Sequence, residues 1–459
     1  MRKKDRKSGH RRLLLYTLMF CLAAVSVLLF AAERNGVSVR KIGGAVERAA
    51  GYVISQKRQS AAELPDFGTL RQSDRTRLAD RYNTGAASPV NGRTTQLQKL
   101  ELIGEKFVSA PGGAVLRYSE NVLTLNLERD PISIGTVLEN VDFAGSVLSS
   151  GAVTRVNAVY PADDKTEGTI TFVNCRIPYL TLHNKQRTGI RWVFIDCTFL
   201  GGVAVSNATF YRCQFGSDQT SADVQCDWDT AFYDCYFWYA NDYIGGSGSH
   251  ADGVQVSGIQ DDVAGNILID HCNFAILAMP VGTNSDAPKQ DKVNACIMIQ
   301  PDYGPIDGVE VRDCTMNGGG YTVYLNPKSY PIHNAVVSGA EYGCSRLYDV
   351  LYPTCPEEYV WERVSPVEQL KIGSIWKDAD GVHLAVTNYT AQPHTLRVVT
   401  EDGQEKTFEI PACPTYPELD AGVHFADLPF DLLVTVGSAD TAEITCYDGE
   451  QMIAAQAFT

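Results

Sequence analysis

ITFVNCRI at Ile170–Ile177, WVFIDCTF at Trp192–Phe199, ATFYRCQF at Ala208–Phe215 and TAFYDCYF at Thr230–Phe237 are four copies of one eight-residue pattern. TVLENVDF from Thr136 precedes them, and ILIDHCNF from Ile267 and VEVRDCTM from Val309 follow. Positions one, three, six and eight are mostly apolar. Alternation over the first three positions describes a strand with one buried face. The alternation slips at position five, which holds Asn140, Asn174, Asp196, Arg212, Asp234, His271 and Asp313. Asn and Asp tolerate the left-handed backbone that a bend requires there. Each unit therefore reads strand, bend, strand. Successive units start 34, 22, 16, 22, 37 and 42 residues apart. A constant core with variable inserts marks a solenoid.

A second rank of apolar-x-apolar triplets follows the units at Leu180–Leu182, Val203–Val205, Val224–Cys226, Val254–Val256, Ile297–Ile299 and Val323–Leu325. Two ranks per turn in constant order describe a coil of stacked strands. In that register Thr181, Ala204, Gln225, Gln255, Met298 and Tyr324 form one outward stripe. Position six is Cys175, Cys197, Cys213, Cys235, Cys272 and Cys314. Stacked strands lie about 4.8 Å apart, whereas a disulfide needs converging Cβ atoms about 3.8 Å apart. These six are thus expected to be an inert internal row of thiols. Cys344 with Cys355, and Cys413 with Cys446, are the better disulfide candidates.

The coil is expected over residues 99–345, with 346–366 as a transition punctuated by prolines. Residues 367–459 read as a small β-sandwich, with strand-like runs separated by the turn pairs Asp380-Gly381, Asp402-Gly403 and Asp448-Gly449. Residues 33–98 read as a stalk and linker. Residues 1–32 form a basic flank and an uncharged stretch, Leu13–Ala32, long enough to cross a bilayer as a helix. The flank should stay in the cytoplasm, which makes the rest extracytoplasmic and the stretch a signal anchor; a cleaved signal peptide is the competing reading. The chain carries −15 overall; residues 1–12 hold seven Lys or Arg and one Asp, so −21 remains for the exported part. Such a surface disfavours nucleic acid and polyanions. Neutral sugars, cationic peptides or acidic sugars bridged by Ca2+ remain as partners. No zinc-spaced Cys/His set, phosphate loop or Gly-x-Ser-x-Gly elbow is present, and no cofactor is implied for certain.

The connections between the two ranks lengthen at 216–223, 238–253 and 275–296, all at one corner of the coil. Solenoid inserts that gather on one face often carry the binding function. They hold Trp238, Tyr239, Asp242 and Tyr243, whose rings and carboxylate suit a sugar's apolar faces and hydroxyls. His250 and Asp252 are the candidate acid–base pair. Gln255, Tyr321 and Tyr324 extend the candidate substrate-binding set, with Asp302 and Tyr303 on the same rim. His271, at a bend position, reads as structural.

SHADGVQ (Ser249–Gln255), NILIDHCNF (Asn266–Phe274) and CTMNGGGYTVYL (Cys314–Leu325), in that order, resemble exported bacterial right-handed parallel β-helix proteins of the pectate lyase-like group. The resemblance covers roughly residues 99–345. It implies a right-handed parallel β-helix over that span; with the C-terminal β-sandwich and the N-terminal transmembrane helix read from the residues above, an all-β chain is expected. The group includes lyases, glycoside hydrolases, epimerases and proteins without known chemistry, so it fits the polysaccharide ligand read from the insert residues without fixing an activity. The polygalacturonase set departs here: His250-Ala251-Asp252 replaces Asn-Thr-Asp, Asp261-Asp262 follows too soon, and Gly-His-Gly and Arg-x-Lys are missing. The calcium-binding acids and arginine base of pectate lyases are not recognisable. Two functions therefore stand: a cell-surface protein that binds a polysaccharide, with or without cleaving it, and a non-catalytic envelope or adhesion protein that uses the coil as a rigid scaffold.

Overall fold

A computed structural model describes residues 70–458 apart from 72–73, 93–95, 104, 112–113, 129–134, 161–165, 183–187, 217–222, 241–250, 278–292, 328, 347–348, 354–358, 414, 416–430 and 438–439. Every bend read from the sequence takes the left-handed conformation. φ is 60° at Asn140, 51° at Asn174, 52° at Asp196, 48° at Arg212, 53° at Asp234, 53° at His271 and 51° at Asp313. The bend turns the chain so far that the two halves of each unit pair in different sheets. The coil therefore has three parallel ranks rather than two. One turn contributes Gly189–Ile195 to a nine-stranded sheet, Thr198–Phe199 to an eight-stranded sheet and Val203–Val205 to a twelve-stranded sheet. The next turn repeats this with Ala208–Tyr211, Gln214–Phe215 and Val224–Cys226, each paired in parallel with its predecessor. This is the strand arrangement of a parallel β-helix.

The coil is longer than the eight-residue pattern suggests. Ile332–Ser338 and Glu341–Tyr342 flank a bend at Gly339 (φ 63°), and Tyr359–Glu362 and Ser365–Pro366 flank one at Arg363 (φ 52°). In these two turns Ala340 and Val364 stand where most other turns carry the cysteine. Residues 351–366 thus supply strands to all three sheets, where a transition was expected. The terminal strands carry Pro353 and Pro366, which lack the N–H that an exposed sheet edge would offer to another chain. At the other end, Glu101–Leu102, Phe107–Ser109, Val115–Ser119 and Val122–Asn126 form an antiparallel meander, and the last of them starts the parallel stacking against Arg155–Val159.

The six position-six cysteines are buried thiols, as expected of the row. Beside them run two columns of phenylalanine. Phe194, Phe210 and Phe232 stack at 4.8 and 4.9 Å, and Phe199, Phe215, Phe237 and Phe274 at 4.9, 4.5 and 4.4 Å. The columns meet edge to face, as at Phe210–Phe215 (5.3 Å), a geometry that suits the ring quadrupoles.

The C-terminal unit comprises a three-stranded sheet (Lys371–Asp378, Gly381–Thr387, Asp431–Val436) and a four-stranded sheet (His394–Thr400, Glu405–Ile410, Glu443–Asp448, Gln451–Ala457), all antiparallel. Leu384, Val386, Leu396, Val398, Ile444 and Cys446 belong to one buried cluster drawn from both sheets. Cys446 lies in that cluster, while Cys413 packs with Leu78, Tyr236 and Tyr389 in another. The expected Cys413–Cys446 disulfide is therefore not formed; both are thiols. Cys355 lies outside the described residues, as does the stretch Leu13–Ala32. Among the described residues no helix is long and apolar enough to cross a membrane.

The described part of the expected linker is not a loose connection. Residues 74–92 form an irregular strap that runs along the ladder of bends. His271 Nε2 bonds the Arg75 carbonyl at 2.8 Å, Gly85 N–H donates to the Arg212 carbonyl, Ala87 N–H donates to Asn174 Oδ1, and Asn91 Nδ2 donates to Asp196. The strap also holds the sandwich. Leu78 N–H donates to the Ile372 carbonyl, Arg77 to the Ala455 carbonyl, and the buried Asp80 accepts from the N–H and hydroxyl of Ser374.

Candidate functional site

The three faces of the coil differ in what covers them. On the eight-stranded sheet, Asn273 is buried between strap and sandwich: its Nδ2 donates to the Ala79 carbonyl and its Oδ1 accepts from the Tyr389 hydroxyl. On the nine-stranded sheet, Val173, Val193, Ile195 and Tyr211 face outward yet are buried, with Leu70 packed against them. Further along that sheet the buried Asp270 meets Arg71, Arg75 and, at 2.9 Å, Arg312. Burial opposes ionisation of Asp270, but these guanidiniums prevail and hold its carboxyl below the usual aspartate value. The twelve-stranded sheet is the remaining face.

Its outward row has the register expected from the triplets: Thr181, Ala204, Gln225, Gln255, Met298 and Tyr324 are successive Cα partners, and Tyr352 follows. Gln225, Gln255 and Tyr324 are half-buried, whereas Met298 is only 6% exposed. Tyr321 and Tyr324 pair with ring centroids 5.7 Å apart. Beyond the strand ends, Asn326 Nδ2 donates to the Tyr324 hydroxyl at 2.8 Å, and Gln300 Nε2 donates to Asp302 at 2.8 Å. The row and the residues beside it thus combine amides, a carboxylate and two rings, the groups that recognise hydroxyls and apolar sugar faces.

The turn into this sheet depends on glycine. Gly318 has φ 117°, and a Cβ there would lie 1.6 Å from the Ile276 carbonyl oxygen. A Cβ on Gly253 would lie 2.4 Å from the Cys296 carbonyl oxygen, beside a bulge at Ala251/Asp252. These close approaches are what the Gly-Gly-Gly-Tyr and Asp-Gly elements of the sequence serve.

The other candidates separate clearly. Trp238 is 7% exposed and packs with Leu78, Tyr236 and Tyr389, under the Arg81 guanidinium at 5.5 Å. It lies on the eight-stranded sheet, beneath strap and sandwich, so a polymer cannot stack on it; a ring beside an insert is indistinguishable in sequence from one at an internal seam. Tyr239 is placed only as part of the strand Tyr236–Ala240. Asp242, Tyr243 and His250 lie outside the described residues. Asp252 is 1% exposed, and its Oδ1 accepts the Ala295 N–H at 3.0 Å. Its own N–H donates to Asp223 Oδ1 at 3.1 Å. A second carboxylate therefore stands beside Asp252, at the corner where the inserts leave the coil. Sequence reasoning missed Asp223, although its position just before the triplet Val224–Cys226 matches that of Gly253 before Val254. His271 bonds Asp234 at 2.6 Å and the strap, which makes it part of the bend ladder. Among the described residues no three His, Cys, Asp or Glu are grouped to hold a metal ion.

Comparison of the chain with protein-family models, curated proteins and solved structures finds no match to any of them.

Proposed function

We propose that this protein is an extracytoplasmic, membrane-tethered β-helix that binds a polysaccharide along the outer row of its twelve-stranded sheet. The observation that carries the proposal is the in-register row Gln225, Gln255 and Tyr324, half-buried on the twelve-stranded sheet, where the described contacts of strap and sandwich fall on the other two faces. A polymer repeats along its length, and so does this surface, at about 4.8 Å per turn. The charge of −21 beyond residue 12 favours a neutral glycan, or an acidic one bridged by Ca2+. The coil is taken as right-handed because crossovers between parallel strands of one sheet almost always are, and with that hand it fits the pectate lyase-like group. The tether is Leu13–Ala32, with its basic flank on the cytoplasmic side.

Cleavage is a separate step of the proposal. Asp223, Asp252 and His250 are the groups from which an acid–base pair would be drawn at the insert corner. A screen of neutral and acidic polysaccharides for binding and product release, with and without calcium, tests both parts on the full chain in detergent. Binding that falls at least tenfold in Gln255→Ala/Tyr324→Ala supports the row as the site. Product release lost in Asp223→Asn or His250→Ala makes the protein an enzyme. The second reading, an envelope scaffold, is favoured by the way strap and sandwich lock onto the coil; it prevails if no glycan binds.

A further inference from the structure

We propose that Cys344 and Cys413 form a disulfide that fastens the C-terminal sandwich to the end of the coil. The two residues lie 69 positions apart yet meet at one seam. Cys344 Sγ is 3.4 Å from the Cys413 carbonyl oxygen, and Cys344 packs against the cluster that contains Cys413. Their backbones hang on adjacent carbonyls of a single segment: Cys344 N–H donates to Tyr389 and Cys413 N–H to Thr390, each at 2.9 Å. Asn317 Nδ2 donates to Cys413 Sγ at 3.4 Å, which orients that sulfur toward the coil. Burial, and after it the neighbouring Cys344 thiol, raise the Cys413 thiol above the ordinary thiol value.

This seam differs from the cysteine row. In the row each Sγ points to the carbonyl two residues before it, as Cys197 does to Ile195 and Cys235 to Tyr233, and the stacked Cβ vectors run parallel. At the seam the two cysteines come from the end of the coil and from the sandwich rather than from successive turns of one parallel ladder. Cys344 is half-buried while Cys413 is buried, so Cys344 is the thiol that an oxidant meets first.

The reaction is thiol–disulfide exchange with a disulfide-bearing oxidant. The Cys344 thiolate attacks one sulfur of the oxidant and releases the other as a thiol. The Cys413 sulfur, losing its proton, then displaces the remaining oxidant sulfur from Cys344. The Cys344–Cys413 bond forms, and the oxidant leaves reduced by two electrons and two protons.

The test is oxidation of the full chain in detergent with oxidised glutathione, then alkylation, non-reducing digestion and mass spectrometry. The expected product is a linked peptide pair containing Cys344 and Cys413, absent from Cys344→Ser and from Cys413→Ser, with Cys175, Cys197, Cys235, Cys272 and Cys314 alkylated only after unfolding. A Cys344–Cys355 or Cys413–Cys446 pair would overturn the proposal, as would Cys413 recovered alkylated after oxidation. Circular dichroism of the unoxidised Ser variants checks that they fold, so that a missing link reports the chemistry.

Discussion

Asp270 is a single outward strand residue on which the course of the lead-in depends. Its buried carboxylate collects Arg71 and Arg75 from the lead-in and Arg312 from the next turn. Asp270→Asn is expected to cost about 2 kcal/mol, the scale of charge-assisted hydrogen bonds discounted for guanidiniums that are about one-third exposed. Because the folded carboxyl titrates below the usual aspartate value, its contribution is present above the unfolded value and is lost as pH falls through the folded one. The wild type should therefore approach the variant in urea midpoint below about pH 4, and equal midpoints at pH 7 would refute the role. None of this was legible in the sequence, because Arg71 and Asp270 are 199 residues apart and an Asp at a strand end looks like any solvated one. The bends were legible because a left-handed φ is a local demand that Asn and Asp meet locally. Gly318→Ala sits at the opposite extreme of such demands: with φ 117° and a carbonyl oxygen in the way, it should destabilise by about 2 kcal/mol or more, measured by the same urea midpoint.

At the scale of elements, the stacked columns give the coil its stability. Phe232 lies fully buried between Phe210 and Phe237. Phe232→Ala should cost about 3–5 kcal/mol, and a loss under about 1 kcal/mol by chemical denaturation would show that the column is not tightly packed. The cysteine row makes a chemical prediction. Burial pushes the Cys175, Cys197, Cys235, Cys272 and Cys314 thiols well above the ordinary thiol value, so they should resist alkylation at pH 8 in the native protein and react only on unfolding. The eight-residue pattern revealed these elements because side chains facing the core repeat turn by turn. It stopped short of the two turns through Gly339 and Arg363, where Ala340 and Val364 fill the same space with other apolar side chains. In the sandwich the strand-like runs at 370–376, 382–387, 394–399, 406–410, 431–436 and 443–447 lie within or against observed strands, and Gln451–Ala457 escapes such a reading because alanines blur its alternation.

For the whole molecule, the decisive arrangement is the unequal covering of three faces. The strap seals the bend corner, the sandwich closes over the end of the eight-stranded sheet, and the twelve-stranded sheet keeps a polar, aromatic outer row. The sequence displayed that row correctly because its register follows from the triplets. It misplaced Trp238, because which face an appended unit covers depends on contacts between segments far apart in the chain. The central claim is that a polysaccharide lies on the row, and hydroxyl-radical footprinting of the full chain tests it most directly, with and without a polysaccharide selected by binding. The account predicts reduced oxidation of Tyr321 and Tyr324 in the complex, with Trp376 of the sandwich unchanged. Protection confined to the sandwich, or unchanged oxidation of both tyrosines with the glycan bound, would contradict it.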